Sequence, residues 1–253
     1  MTAPFQLKWP LAAVWAGSFC LLLAQAFAVP TSAQLPTPGD PEVTWAGAPR
    51  LADWARGYLQ GLDSLPLTVG DDWERSMERV RAMYFLSVEK KEWGERAADT
   101  LGVLETRIPV HGDVDAILQA YGGALEVVRA KHSRWPPNKL KYLNRGAAIL
   151  DGLVDGNPGN LEIRYLRLAS YWFLPGFLRR DGSVEADLKV LVADLPDQTQ
   201  AFSPVVYRGV VRFLLENGDL VDADRERLTQ ALNGFPGQDS DGRVPHLSLS
   251  SEG

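Results

Sequence analysis

The sequence predicts an all-α protein: stacked antiparallel helical hairpins, irregular in length, about eight helices in number. Three observations lead there. Apolar residues recur at spacings of three and four, which lines one face of a helix. The periodic segments are short and separated by tight Pro and Gly turns, which leaves successive helices side by side. No stretch alternates with period two over more than a few residues, so no strand is expected.

The elements follow in order. Residues 49–63 place Leu51, Trp54, Ala55, Tyr58 and Leu62 on one face, and Pro66 and Gly70 close the segment. Asp71 or Asp72 caps a second helix with Trp73, Met77, Val80, Met83, Tyr84 and Val88 as its stripe. A third covers 92–106 and ends before Pro109. Asp113 caps a fourth, with Val114, Ile117, Leu118, Tyr121, Leu125 and Val128 on one side. Gly122 and Gly123 sit in its middle, where each costs about 1 kcal/mol against alanine. The expected reason is a neighbouring helix that approaches closely.

Trp135-Pro136-Pro137 breaks the chain, and a fifth helix is predicted from Asn138 to Asp155. It stops at Gly156, with Pro158 just beyond. A sixth covers 160–173 and ends at Pro175-Gly176. A seventh, 183–194, begins at Ser183 with Glu185 and Asp187 in its first turn. Ser203 as cap and Pro204 at the first position start the next, which stops at Asn217-Gly218. A short helix over 222–233 completes the unit.

The flanks differ in kind. Lys8 is the one charge in residues 1–10, and Leu11 to Val29 run 19 positions without any. Ala26-Phe27-Ala28 then supplies a small-x-small site, so residues 1–28 read as a secretory signal peptide cut after Ala28. Ala33 offers a second cut. The rival is an uncleaved anchor over 11–29, because about 20 apolar residues can span a bilayer. A lipid on Cys20 is disfavoured by the bulky Phe19 before it. Residues 29–48 form a Pro-rich linker and 235–253 a polar, disordered tail. Between them, 49–234 is one helical domain. The expected location is periplasmic or secreted.

Composition removes several function classes. The chain has 253 residues, a net charge of −6 and a pI near 5.2, which argues against nucleic acid as a main partner. Cys20 is the only cysteine, so the mature chain has neither disulfide nor thiolate nucleophile. His111, His132 and His246 are the only histidines, and no metal-ligand spacing occurs. No cofactor loop is present either. Ser87 and Lys90 fit S-x-x-K and Tyr142-Leu143-Asn144 fits Y-x-N, but the K-T-G or K-S-G motif and the α/β layout of penicillin-recognising enzymes are missing.

The segment 140–169 resembles the junction between two tetratricopeptide repeats. Gly146, Leu150, Pro158 and Asn160 match that junction in order and spacing, while Leu153 stands where the family usually has alanine. With Ala130-Lys131-His132, Pro137, Lys139 to Leu143 and Glu162 to Arg167, the chain is also similar to a group of small exported bacterial tetratricopeptide-like proteins of unassigned activity. The resemblance implies a fold and a groove for a partner, and no reaction.

One cluster is a candidate binding site. Lys131, His132, Arg134, Lys139, Lys141 and Arg145 concentrate positive charge in an acidic chain, and Arg164 and Arg167 could line the same groove. The competing reading is a solvated turn whose cations stabilise a helix C-terminus, with the two arginines paired to Glu162 or Asp151. The function expected first is an exported module that binds a protein or peptide partner in the cell envelope. The alternatives are an enzyme or anion-binding protein using the turn around His132, and a structural envelope protein without ligand. Contact with the membrane is expected only through an uncleaved N-terminal segment.

Overall fold

The computed structural model describes residues 51–64, 72–107, 113–172, 174, 177, 178, 180–199 and 203–235. The stretches read above as signal peptide (1–28), linker (29–48) and, beyond Phe235, tail lie outside the described residues. The described residues form nine α-helices and no strand. They are α1 (Leu51–Ser64), α2 (Asp72–Ser87), α3 (Lys91–Arg107), α4 (Asp113–His132) and α5 (Pro136–Gly156). Next come α6 (Leu161–Trp172), α7 (Asp181–Asp194), a 3-10 turn (Leu195–Asp197), α8 (Pro204–Asn217) and α9 (Asp222–Gly234). No helix among the described residues is long and apolar enough to cross a membrane.

The helices pair as hairpins α2–α3, α4–α5 and α6–α7, and each hairpin stacks on the next through its first helix. Helix α4 is central: it packs on α2, α3, α5 and α6. Its buried Leu118, Tyr121, Ala124, Leu125 and Val128 follow the predicted spacing. The last hairpin does not continue the row. Instead α8 lies on α1, α2 and α6, and Val205, Val206, Val210, Val211 and Leu214 are all fully buried. Rings from four helices form a continuous series, with centroids 5.6 to 6.3 Å apart. It runs from Tyr121 through Tyr84, Phe85 and Tyr165 to Phe213 and Trp172.

Four local features differ from expectation. Helix α5 begins at Pro136, not Asn138, with both prolines in its first turn. There their missing N–H groups cost nothing, because the first turn has no intrahelical acceptor to meet. Helix α7 begins at Asp181, two residues before Ser183. Trp73 is 39% exposed and Val88 36%, so both ends of the α2 stripe run past the core. Phe235 is buried and stacks on Tyr207 at 4.3 Å, which makes it part of the core and not the first residue of a tail.

The two adjacent glycines of α4 have different roles. A Cβ on Gly123 would stand 3.0 Å from Ile149 Cγ2 and 3.3 Å from the Gly146 carbonyl. One on Gly146 would strike the Gly123 carbonyl and come within 2.8 Å of Val127 Cγ2. The α4 and α5 backbones therefore meet glycine to glycine. Gly122 instead faces open space. Gly209 of α8 gives the same close approach to α2, because a Cβ there would enter the Phe85 ring.

These contrasts have measurable consequences. Gly146→Ala should lose about 1–3 kcal/mol through overpacking. Gly102→Ala, with nothing within 4 Å of the added carbon, should gain up to about 1 kcal/mol from helix propensity. Urea midpoints compared at constant slope read both.

Candidate functional site

The structure divides the predicted basic cluster between two places. Lys131 Nζ donates to the Val88 carbonyl at 2.8 Å, and His132 Nε2 lies 2.8 Å from the Ser87 carbonyl, to which its N–H donates. Those carbonyls end α2, so the last turn of α4 supplies donors to groups that a helix terminus leaves open. Burial pushes the Lys131 ammonium below the usual lysine range, with Glu89 acting the other way. Ser87 is fully buried and its hydroxyl donates to the Tyr84 carbonyl at 2.5 Å, while Lys90 is exposed. Lys139 is buried, and Lys141, Arg134 and Arg145 are exposed.

Arg164 and Arg167 stand elsewhere. Both converge on Asp187 of α7, whose side chain is fully buried. Arg164 Nη1 reaches Asp187 Oδ1 at 2.8 Å, and its Nε donates to the Pro158 carbonyl at 2.6 Å. Arg167 binds both Asp187 oxygens, at 2.7 and 2.8 Å, and has Asp151 Oδ1 at 3.5 Å. Arg180 also pairs with Asp151, and Tyr171 donates to it at 2.9 Å. These groups bind α5, α6 and α7 together. Arg167 keeps its charge despite burial, because the hydrogen bond and charge of Asp187 hold its pKa above the usual range.

A second buried network escaped the sequence reading. Arg81 of α2 binds Glu162 of α6 with two hydrogen bonds, at 2.8 and 2.9 Å, and Glu78 with a third at 2.7 Å. Tyr121 donates to Glu162 at 2.7 Å, Tyr58 to Glu78 at 2.8 Å, and Ser203 also to Glu78. Ser203 occupies the N-cap position of α8 but makes no side-chain cap bond, since its hydroxyl is turned to Glu78. The signal for this network was in α6. Leu161, Ile163, Tyr165, Leu166 and Leu168 surround that helix with apolar positions. A charge on such a helix is buried and must be paired.

The remaining feature is a cleft of about 170 Å³ between α3 and α4. Gly94 and Gly102 of α3 and Gly122 of α4 leave it without side chains on those positions. Ala98, Leu101, Leu125 and Val128 make its apolar wall. Glu105, Lys91, Arg129 and His132 stand around it. Glu126 also lines it: Arg129 donates to Oε1 at 2.8 Å, while Oε2 is buried and accepts no hydrogen bond. Among the described residues no group of three or more metal-ligating side chains converges. Comparison with known proteins finds no matching family model, no matching curated protein and no matching solved structure.

Two outcomes follow from the buried groups. Glu162→Ala leaves the Arg81 guanidinium without its main partner and should cost about 3–5 kcal/mol, read by chemical unfolding. Burial raises the phenol pKa of Tyr58, Tyr84, Tyr121, Tyr165, Tyr171 and Tyr207 above the ordinary 10.0. The unfolded chain then loses these protons near pH 10 while the folded chain keeps them. Stability is therefore present below pH 10 and is lost above it, by up to about 1.4 kcal/mol per pH unit for each phenol. Phenolate absorbance should rise together with the loss of helical circular dichroism. Ionisation of these six phenols at full helicity would contradict the burial.

Proposed function

We propose that the protein is an exported interaction module, a tetratricopeptide-like stack that engages a protein or peptide partner in the cell envelope. The carrying observation is the α3–α4 cleft, in which Gly102 and Gly122 leave open space where side chains would stand. A second observation narrows the choice of surface. Helix α8 covers α2 and α6, so the face shared by these first helices is filled by the chain itself. The partner surface then falls to the cleft between the hairpins. The uncharged run Leu11–Val29 with its Ala26-Phe27-Ala28 site supports export. An enzyme built on His132 has less support, because the Nε2 of that ring and the Lys131 ammonium both meet backbone carbonyls.

A photo-crosslinking amino acid at Glu105, on the cleft rim, should give a discrete adduct in the producing cell. The same group at the exposed Ala148 of α5 should not. Gly102→Leu fills the cleft and should reduce the adduct at least tenfold without lowering the melting temperature. Equal adducts from both positions, or no effect of filling, would contradict the reading. Full-length protein recovered from the cytoplasm would contradict export.

A further inference from the structure

We propose that the tip of the α4–α5 hairpin docks on the surface of an anionic phospholipid bilayer, with Trp135 seated among the headgroups. This contact is separate from the N-terminal segment and rests on neither the cleft nor its partner.

The tip projects. Tyr171, beside the last residue of α6, donates to the Ala147 carbonyl of α5 at 3.1 Å. Helix α5 begins at Pro136, so its first three turns run past the end of α6 by about 16 Å. Helix α4 packs beside them and ends at His132. Trp135, between the two helices, is 64% exposed, and Pro137, Asn138 and Lys141 are exposed behind it. Lys131 and His132 hold the tip against the end of α2 through the Val88 and Ser87 carbonyls.

The tip is also positive. From Val127 to Leu150 the chain carries six cations and no acidic residue, in a protein of net charge −6. Lys139 of this group is buried. Arg134 and Lys141 are exposed and make no ion pair among the described residues. Lys90 is exposed two residues beyond Val88 and adds to the same end. Glu89 and Glu92 stand nearby, outnumbered by these cations. The opposite end of the stack carries Asp115, Asp155 and Asp194 at the start of α4 and the ends of α5 and α7. An anionic surface therefore attracts one end and repels the other, which orients the domain.

An acidic protein would satisfy the cations alone. The indole favours a bilayer. Its apolar body and N–H suit the layer between headgroups and acyl chains. Val88, 36% exposed at the end of α2, adds apolar surface beside it. Lysine and arginine around such an anchor reach lipid phosphates, and each strengthens binding about fivefold.

The test uses the full chain with Cys20→Ser, so that one fluorophore can be attached at Asn138→Cys on the tip or at Gly159→Cys at the far end, where a side chain meets open space. Vesicles carry a headgroup-linked quencher in phosphatidylcholine, with or without phosphatidylglycerol. The N-terminal segment is the same in every arm, so the comparison reads orientation. With phosphatidylglycerol, quenching at 138 should exceed that at 159 by about threefold or more. The difference should vanish on phosphatidylcholine alone and in high salt. Trp135→Ala should remove about half of it, and Arg134→Glu with Lys141→Glu all of it. These three side chains are exposed, so helical circular dichroism should stay unchanged. Equal quenching at both labels, the same difference on neutral vesicles, or no effect of Trp135→Ala would overturn the proposal. A label at 138 that responds to soluble polyglutamate and not to vesicles would assign the tip to an acidic protein and overturn it equally.

Discussion

The fold depends on the Arg81 guanidinium. It holds Glu162 with two hydrogen bonds and Glu78 with a third. Burying an ion costs several kcal/mol, and attraction offsets this only where lone pairs and protons find partners. Here two carboxylates share one guanidinium, so charge alone does not balance. Tyr58, Tyr121 and Ser203 supply the missing donors as neutral hydroxyls. Burial pulls the Arg81 pKa down, yet the charges of Glu162 and Glu78 hold it well above the usual arginine value. The cluster joins α1, α2, α4, α6 and the start of α8. Apolar stripes can pack in several registers, whereas these directional bonds form in one.

The site follows from what that network leaves out. Helix α3 contributes no side chain to it, nor to the Asp187 cluster. It packs on α2 and α4 through small residues such as Ala97 and Gly94, whose Cβ position lies 3.4 Å from Ser87 Cβ. Further along, Gly102 and Gly122 meet nothing. The cleft thus opens between two helices that lack side chains to fill it at Gly102 and Gly122. On the opposite side, the ring series from Tyr121 to Trp172 draws α8 tightly onto α2 and α6. One face is closed by aromatic packing, and the other is left open by glycine.

The helices were legible in the sequence because their signals are local. Spacing of Leu118, Tyr121 and Leu125, and the stop at Gly156 before Pro158, depend on neighbours in the chain. Trp135-Pro136-Pro137 has the composition of a break, yet Pro136 and Pro137 open α5, because a loop turn and the first turn of a helix favour the same residue. Gly122 and Gly123 were one feature in sequence and are two in space, since only the second faces α5. Local sequence allows Arg164 and Arg167 either to line a groove with Lys131 or to pair with Glu162 or Asp151; Arg167 does reach Asp151, but Asp187, 20 or more residues away, claims both. Arg81 and Glu162 lie 81 residues apart. No local pattern links them, and only the apolar surroundings of Glu162 marked it as a buried charge. The cleft depends on absent side chains, for which a sequence has no spacing rule.

The hydroxyl of Ser203 meets Glu78 across 125 residues of chain, and this sets an order of events during folding. Until α8 docks, Glu78 lacks that donor and Phe85 lacks its glycine lid. The first three hairpins can form as local units, since their contacts lie close in sequence. Their shared face stays wet and partly apolar until the last hairpin arrives. A chain truncated before residue 203 therefore exposes that sticky surface, and shielding by a chaperone matters most in the interval before α8 docks.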